Sequence, residues 1–103
     1  PASPDAVFVA SDMMAIGALK VILEAGLRVP EDIALIGFDD ILAASAIGPT
    51  LTTVRQPIGR LGAMAVEMLL NMLEDPPGKG SPVQRIILPT ELVIRASCGS
   101  GLN

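Results

Sequence analysis

The chain has no histidine, tryptophan or tyrosine, and one cysteine among its 103 residues. Without histidine, neither a Ser–His–Asp nor a Cys–His arrangement can form within it. Zinc sites of the Cys/His kind are excluded for the same reason. The carboxylates do not alternate along a loop as calcium ligands do. No catalytic residue, metal site or cofactor is therefore expected. Cys98 cannot form an internal disulfide, which suits a reducing cytoplasm. Basic residues are few and scattered (Lys20, Arg28, Arg55, Arg60, Lys79, Arg85, Arg95), and the net charge is −4. Such a chain has no stripe to neutralise phosphates and should not bind nucleic acid by itself. Its apolar runs fall far short of the ~20 residues a membrane helix needs. The start, PASPDAVFVASD, has neither a basic leader nor a long apolar stretch. It also has no initiating Met, which points to a segment of a longer protein, so a leader could still lie upstream.

Half of the residues are hydrophobic, yet Phe8 and Phe38 are the only aromatics, so the core must be aliphatic. A chain of this length can bury roughly 65% of its unfolded surface, enough for one small domain without staples. An aliphatic composition suits α/β layers.

Taken in order, Ala6–Ala10 (AVFVA) reads as a short buried strand. Ser11 and Asp12 are good N-caps for a helix running to about Ala25, where Gly26 and then Pro30 stop it. This helix is apolar around most of its circumference, and only Lys20 and Glu24 are charged within it. A surface helix needs one apolar stripe, so the second face calls for cover. In so small a chain that cover reads as a subunit interface rather than more core.

A second strand spans Ile33–Gly37, and one or two helical turns are expected over Ile41–Ala46. LTTVR (Leu51–Arg55) reads as a third strand. Pro57 then opens an amphipathic helix to about Leu73, with Leu61, Met64, Ala65, Met68, Leu69 and Met72 on one side. Glu74–Pro82 is a loop, Val83–Leu88 and Glu91–Ala96 are two further strands, and the tail Ser97–Asn103 is expected to fray. The alternation argues for an α/β fold with a three-layer, parallel-rich sheet and helices on both faces.

The stretch VPEDIALIGFDD, Val29–Asp40, organises the rest. Its strand is apolar on both faces, Gly37 allows a sharp bend, and two carboxylates follow at the strand's carboxyl end. Open α/β sheets bind ligands there. Adjacent extended residues point to opposite sides, so Asp39 and Asp40 are a poor acid/base pair. Asp40 reads as a solvated turn residue or a cap. Asp39 reads as facing a cleft, where a carboxylate can accept several hydrogen bonds from a polyhydroxylated ligand. Ser11 and Asp12 end a strand on the same rim, so one should cap the helix and the other reach the cleft. Arg55 and Gln56 read as surface residues.

Four strings in order, VFVASDMMAIGAL, GLRVPEDIALIGFDD, LTTVRQP and ILPTELVIRAS, resemble the carboxyl-terminal part of LacI/GalR-family transcription regulators. The likeness runs from about Pro4 to Ser97. It implies a periplasmic-binding-protein-like carboxyl-terminal lobe over residues 1–103, with the DNA-binding headpiece and amino-terminal lobe absent. By the same resemblance the ligand contacts are Asp39, Ser11, Asp12 and Ile58, and the effector is a sugar or a related small molecule. Met13, Ile16, Gly17 and Lys20, together with Ile47, fall on the family's dimer surface, which implies a homodimer. Operator DNA would be engaged only through the missing headpiece, in the cytoplasm, with no membrane involved. The segment after Gln56 crosses to the other lobe in this family, so the helix Pro57–Leu73 is expected to be displaced, swapped or packed on a neighbour. A lobe of a periplasmic sugar-binding protein of a transport system is the alternative. An enzyme using the Asp pair ranks last.

Overall fold

Ser11 starts the first helix as a side-chain cap: its Oγ accepts a hydrogen bond from the Met14 N–H at 3.2 Å. The helix, α1, spans Asp12–Glu24. It ends in a Schellman motif: Gly26, at φ 82°, donates to the Leu23 carbonyl and Leu27 to that of Ile22. These details come from a computed structural model that describes residues 4–78, 80 and 82–101.

The chain divides into two units, one formed by Pro1–Gln56 with Glu91–Asn103 and the other by Pro57–Thr90. In the first, strand β1 (Ala6–Phe8) pairs in parallel with β2 (Ala34–Ile36), with Val7 opposite Leu35. Strand β3 (Thr53–Arg55) pairs antiparallel with β4 (Glu91–Val93). Parallel bridges Ile36–Thr52 and Asp39–Arg55 join the two pairs. The short helical segment after the Asp pair is a 3-10 helix, Leu42–Ser45.

The core is aliphatic and small: Ala15 and Leu19 of α1 meet Val29, Leu35, Ala44 and Leu51, with Val7, Ile22, Ile41 and Ile47 at its margin. Strand alternation explains the choice, since residues two apart share a face. Leu35 faces α1 and is fully buried, while Ala34 and Ile36 on the other face are half-buried. Phe8, Leu92 and Ile94 stay exposed.

Gly37 plays a different part from the bend expected of it. A Cβ there would collide with the Asp12 carboxylate and lie 3.0 Å from the Leu51 side chain. Glycine lets β2 run close beneath the start of α1.

The tail also departs from expectation. Ala96–Cys98 forms a 3-10 helix, and Ser97 is fully buried. Its hydroxyl donates to the Leu35 carbonyl at 2.6 Å and accepts from the Thr52 N–H at 2.9 Å, bridging β2 and the approach to β3. Leu102 and Asn103 lie outside the described residues.

In the second unit α2 spans Ile58–Glu74, with Pro57 at its N-cap and no buried residue. Its apolar stripe therefore lacks full cover, with Met72 exposed and Met64 and Met68 half-buried. Val83–Leu88 is not a strand. A strand needs a partner for its backbone groups, and here Val83 and Ile87 are 90% and 84% exposed. Lys79 and Ser81, within the expected loop, lie outside the described residues. Among those described, no helix is long and apolar enough to cross a membrane.

Candidate functional site

Two consecutive residues in left-handed backbone mark the carboxyl end of β2: Asp39 at φ 120° and Asp40 at φ 58°. Aspartate tolerates the second value better than most residues, while the first lies outside the usual wells. The surrounding chain holds both. Asp39 N–H donates to the Val54 carbonyl at 2.9 Å, and Asp40 N–H to Thr53 Oγ1 at 3.3 Å. Ile41 N–H donates to Asp12 Oδ2 at 2.8 Å.

Asp39 is half-buried, and its Oδ1 accepts a 2.6 Å hydrogen bond from the Gln56 side-chain amide. Among the described residues Oδ2 accepts no hydrogen bond. One oxygen is thus anchored, and the other can take a donor from outside.

Asp12 does not reach a cleft. It is fully buried, Thr53 Oγ1 donates to its Oδ1 at 2.6 Å, and Ile41 N–H takes up its Oδ2. Its place is that of an internal bracket joining α1, β3 and the acidic turn. Ser11 is half-buried and serves as the cap. The rim is nonetheless continuous, because Asp12 N–H donates to the Phe38 carbonyl at 2.8 Å and sets Ser11 beside the acidic turn.

Asp40 is neither a solvated turn residue nor a helix cap. Arg55 Nε and Arg95 Nη2 each donate to it at 2.7 Å, and the carboxylate is only 11% exposed. Burial pushes the Asp40 carboxyl up, but the hydrogen bonds from the two guanidinium groups outweigh this and hold it below the usual carboxylate range. Arg55 also lies 3.9 Å from Glu91. Arg55 is exposed, as read from the sequence, and Gln56 half-buried, and both serve the turn. Thr53 and Arg95 were missed entirely: nothing local to either residue announces a partner 41 positions away or at the far end of another strand pair.

The remaining expected residues divide as follows. Ile58 is the first residue of α2, in the second unit, and is exposed. Met13 is 71% exposed, Gly17 and Lys20 are exposed, and Ile16 and Ile47 are half-buried. A cavity of about 690 Å³ lies in the second unit, along Met68, Met72, Asp75, Pro77 and Val83. None of Ser11, Asp12, Asp39 or Ile58 lines it. No cluster of three metal-binding side chains occurs among the described residues.

A parallel α/β arrangement with a carboxylate at the carboxyl end of a central strand defines a class, and comparison with known proteins agrees. The family described as "Periplasmic binding protein-like domain" matches residues 1–98, and the chain belongs to it. Similar proteins include HTH-type transcriptional repressors and LacI-family regulators. The chain is 46% identical over 96 residues to the HTH-type transcriptional repressor MelR of Bacillus subtilis, covering 93% of this chain and 27% of that protein. To the repressor PurR of Edwardsiella ictaluri it is 46% identical over 98 residues, covering 95% of this chain and 28% of the relative. Among solved structures, the regulator CelR in complex with cellobiose superposes with a TM-score of 0.82 at 40% identity, covering 90% of this chain and 28% of the other. The lac repressor dimer bound to operator and an anti-inducer gives 0.78 at 39% identity, covering 91% and 32%. The chain therefore spans under a third of the length of these proteins.

Proposed function

We propose that this chain is the carboxyl-terminal part of the effector-binding domain of a cytoplasmic LacI-type regulator, and that Asp39 receives hydroxyl groups of a small sugar-like effector. The observation that carries the reading is the state of the Asp39 carboxylate. It is held by Gln56 through one oxygen, keeps the other without a partner among the described residues, and sits in a backbone conformation that strands rarely adopt. Ser11 lies on the same rim. Effector binding in the full-length protein would alter operator affinity through a headpiece outside this chain. The protein would pair through α1, around Met13, Ile16, Gly17 and Lys20, and through Ile47. Proteins similar to this one are named as complexes with cellobiose, ribose and sucrose, which supports a neutral sugar. The curated relatives carry the names of transcriptional repressors, which favours regulation over transport or catalysis.

Thermal unfolding of the full-length protein against cellobiose, ribose, sucrose and free nucleobases tests this. A bound effector at a hundredfold its Kd should add about 2.7 kcal/mol of stability. Asp39→Ala should abolish that gain. A variant that keeps the full shift removes Asp39 from the site.

A further inference from the structure

The strained turn raises the question of what keeps Asp39 where it is. A residue outside the normal φ wells persists only when its surroundings over-determine it. Three backbone donors of the turn are satisfied, but one of those bonds, Asp40 N–H to Thr53 Oγ1, is long at 3.3 Å. Two further short contacts on the turn are ionic, Asp40 to Arg55 and to Arg95, both 2.7 Å. Charge-assisted bonds of this length are the strong ones, and the Arg95 pair, sheltered on both sides, is weakly screened, while the Arg55 side chain is half exposed. Arg95, 17% exposed, is itself immobilised. Its Nη1 donates to the Leu51 carbonyl at 2.9 Å, and its N–H to Thr52 Oγ1 at 2.8 Å. Arg55 comes from β3, immediately before Gln56, the residue that grips Asp39.

We propose that Asp40 is a positioning residue for Asp39: through Arg55 and Arg95 it ties the turn to β3 and to the chain just past β4, and so fixes the direction in which the Asp39 carboxylate points. This rests on the reading of Asp39 as the ligand contact. Asp40 need not touch the ligand, because both its oxygens are taken by arginine. The clamp also links three separate parts of the chain, so the orientation of Asp39 depends on β4 being docked.

Hydrogen exchange of the full-length protein without any sugar tests the proposal. Asparagine tolerates left-handed backbone as aspartate does, so Asp40→Asn removes the charge while sparing the turn's conformation. The expected result is exchange at least about tenfold faster in the segment Phe38–Ile41, with α1 and β2 at their original rates. Arg95→Met should give a smaller change in the same segment, because Arg55 still holds Asp40, and the double variant no more than Asp40→Asn alone, since both act through the one carboxylate. Unchanged exchange in the turn, or an additive double variant, overturns the proposal. If Asp40→Asn does not fold, Arg95→Met carries the comparison, because it leaves Asp40 paired with Arg55. The ligand role of Asp39 is tested separately by the sugar-dependent shift, so either idea can fail alone.

Discussion

Thr53 Oγ1 donates a 2.6 Å hydrogen bond to Asp12 Oδ1, and both side chains are fully buried. The same hydroxyl accepts from Asp40 N–H, so one β3 side chain joins the start of α1 to the acidic turn. Thr53→Val keeps the shape but strands a buried carboxylate oxygen and a backbone donor. It should cost about 2–4 kcal/mol in urea unfolding. Thr53→Ser keeps the hydroxyl and loses one methyl, and should cost about 1 kcal/mol. Equal losses in the two variants would show that packing, not the hydrogen bond, matters.

Gly37→Ala places a methyl against the held Asp12 carboxylate and near Leu51. That carboxylate cannot swing aside without breaking its bonds to Thr53 and Ile41. A loss of about 1–3 kcal/mol is expected. Gly62→Ala is the control: it meets nothing within 4 Å and lies inside α2. It should stabilise that helix by about 1 kcal/mol. Chemical denaturation of both variants checks the contrast.

Asp40 makes stability depend on pH in a defined direction. Its folded-state pKa is depressed, despite the opposing effect of burial, by the bonds from Arg55 and Arg95. A depressed carboxyl contributes stability that is complete above its unfolded pKa, about 3.9, and that is lost as pH falls through the lower folded value. Unfolding midpoints between neutral pH and acid should fall less steeply for Asp40→Asn than for the parent, from a lower starting point at neutral pH. Parallel curves would mean that the pairing is the same in both states.

Ser97→Ala should destabilise by about 1–3 kcal/mol, because the Leu35 carbonyl and the Thr52 N–H both lose a buried partner. Truncation after Arg95 should do at least as much damage. Denaturant titration decides whether this end of the chain is structural.

The proposed pairing face can be probed at Met13, which is 71% exposed. Met13→Asp introduces a charge on the proposed pairing face at a position outside the core. Sedimentation equilibrium should show a weakened dimer with unchanged helix content. A dimer of unaltered affinity would move the interface elsewhere.

What the sequence determined by itself was local. A cap at Ser11 or Asp12, the stop at Gly26, the apolar run before Gly37 and the turn at Asp39 all follow from neighbours a few residues apart, where propensity and capping act. The order of strand and helix, and with it the α/β class, followed from that. The tertiary structure decided every assignment that needs a distant partner. Asp12 looked like a rim residue until Thr53, 41 positions on, claimed it. Ser97 looked like a loose end until it met Leu35, 62 positions back. Val83–Leu88 had the composition of a strand but, among the described residues, no strand partner, and composition cannot supply one. Asp40 finds two arginines where Asp39 finds Gln56, and that choice is made by strand pairing, which short-range patterns do not encode.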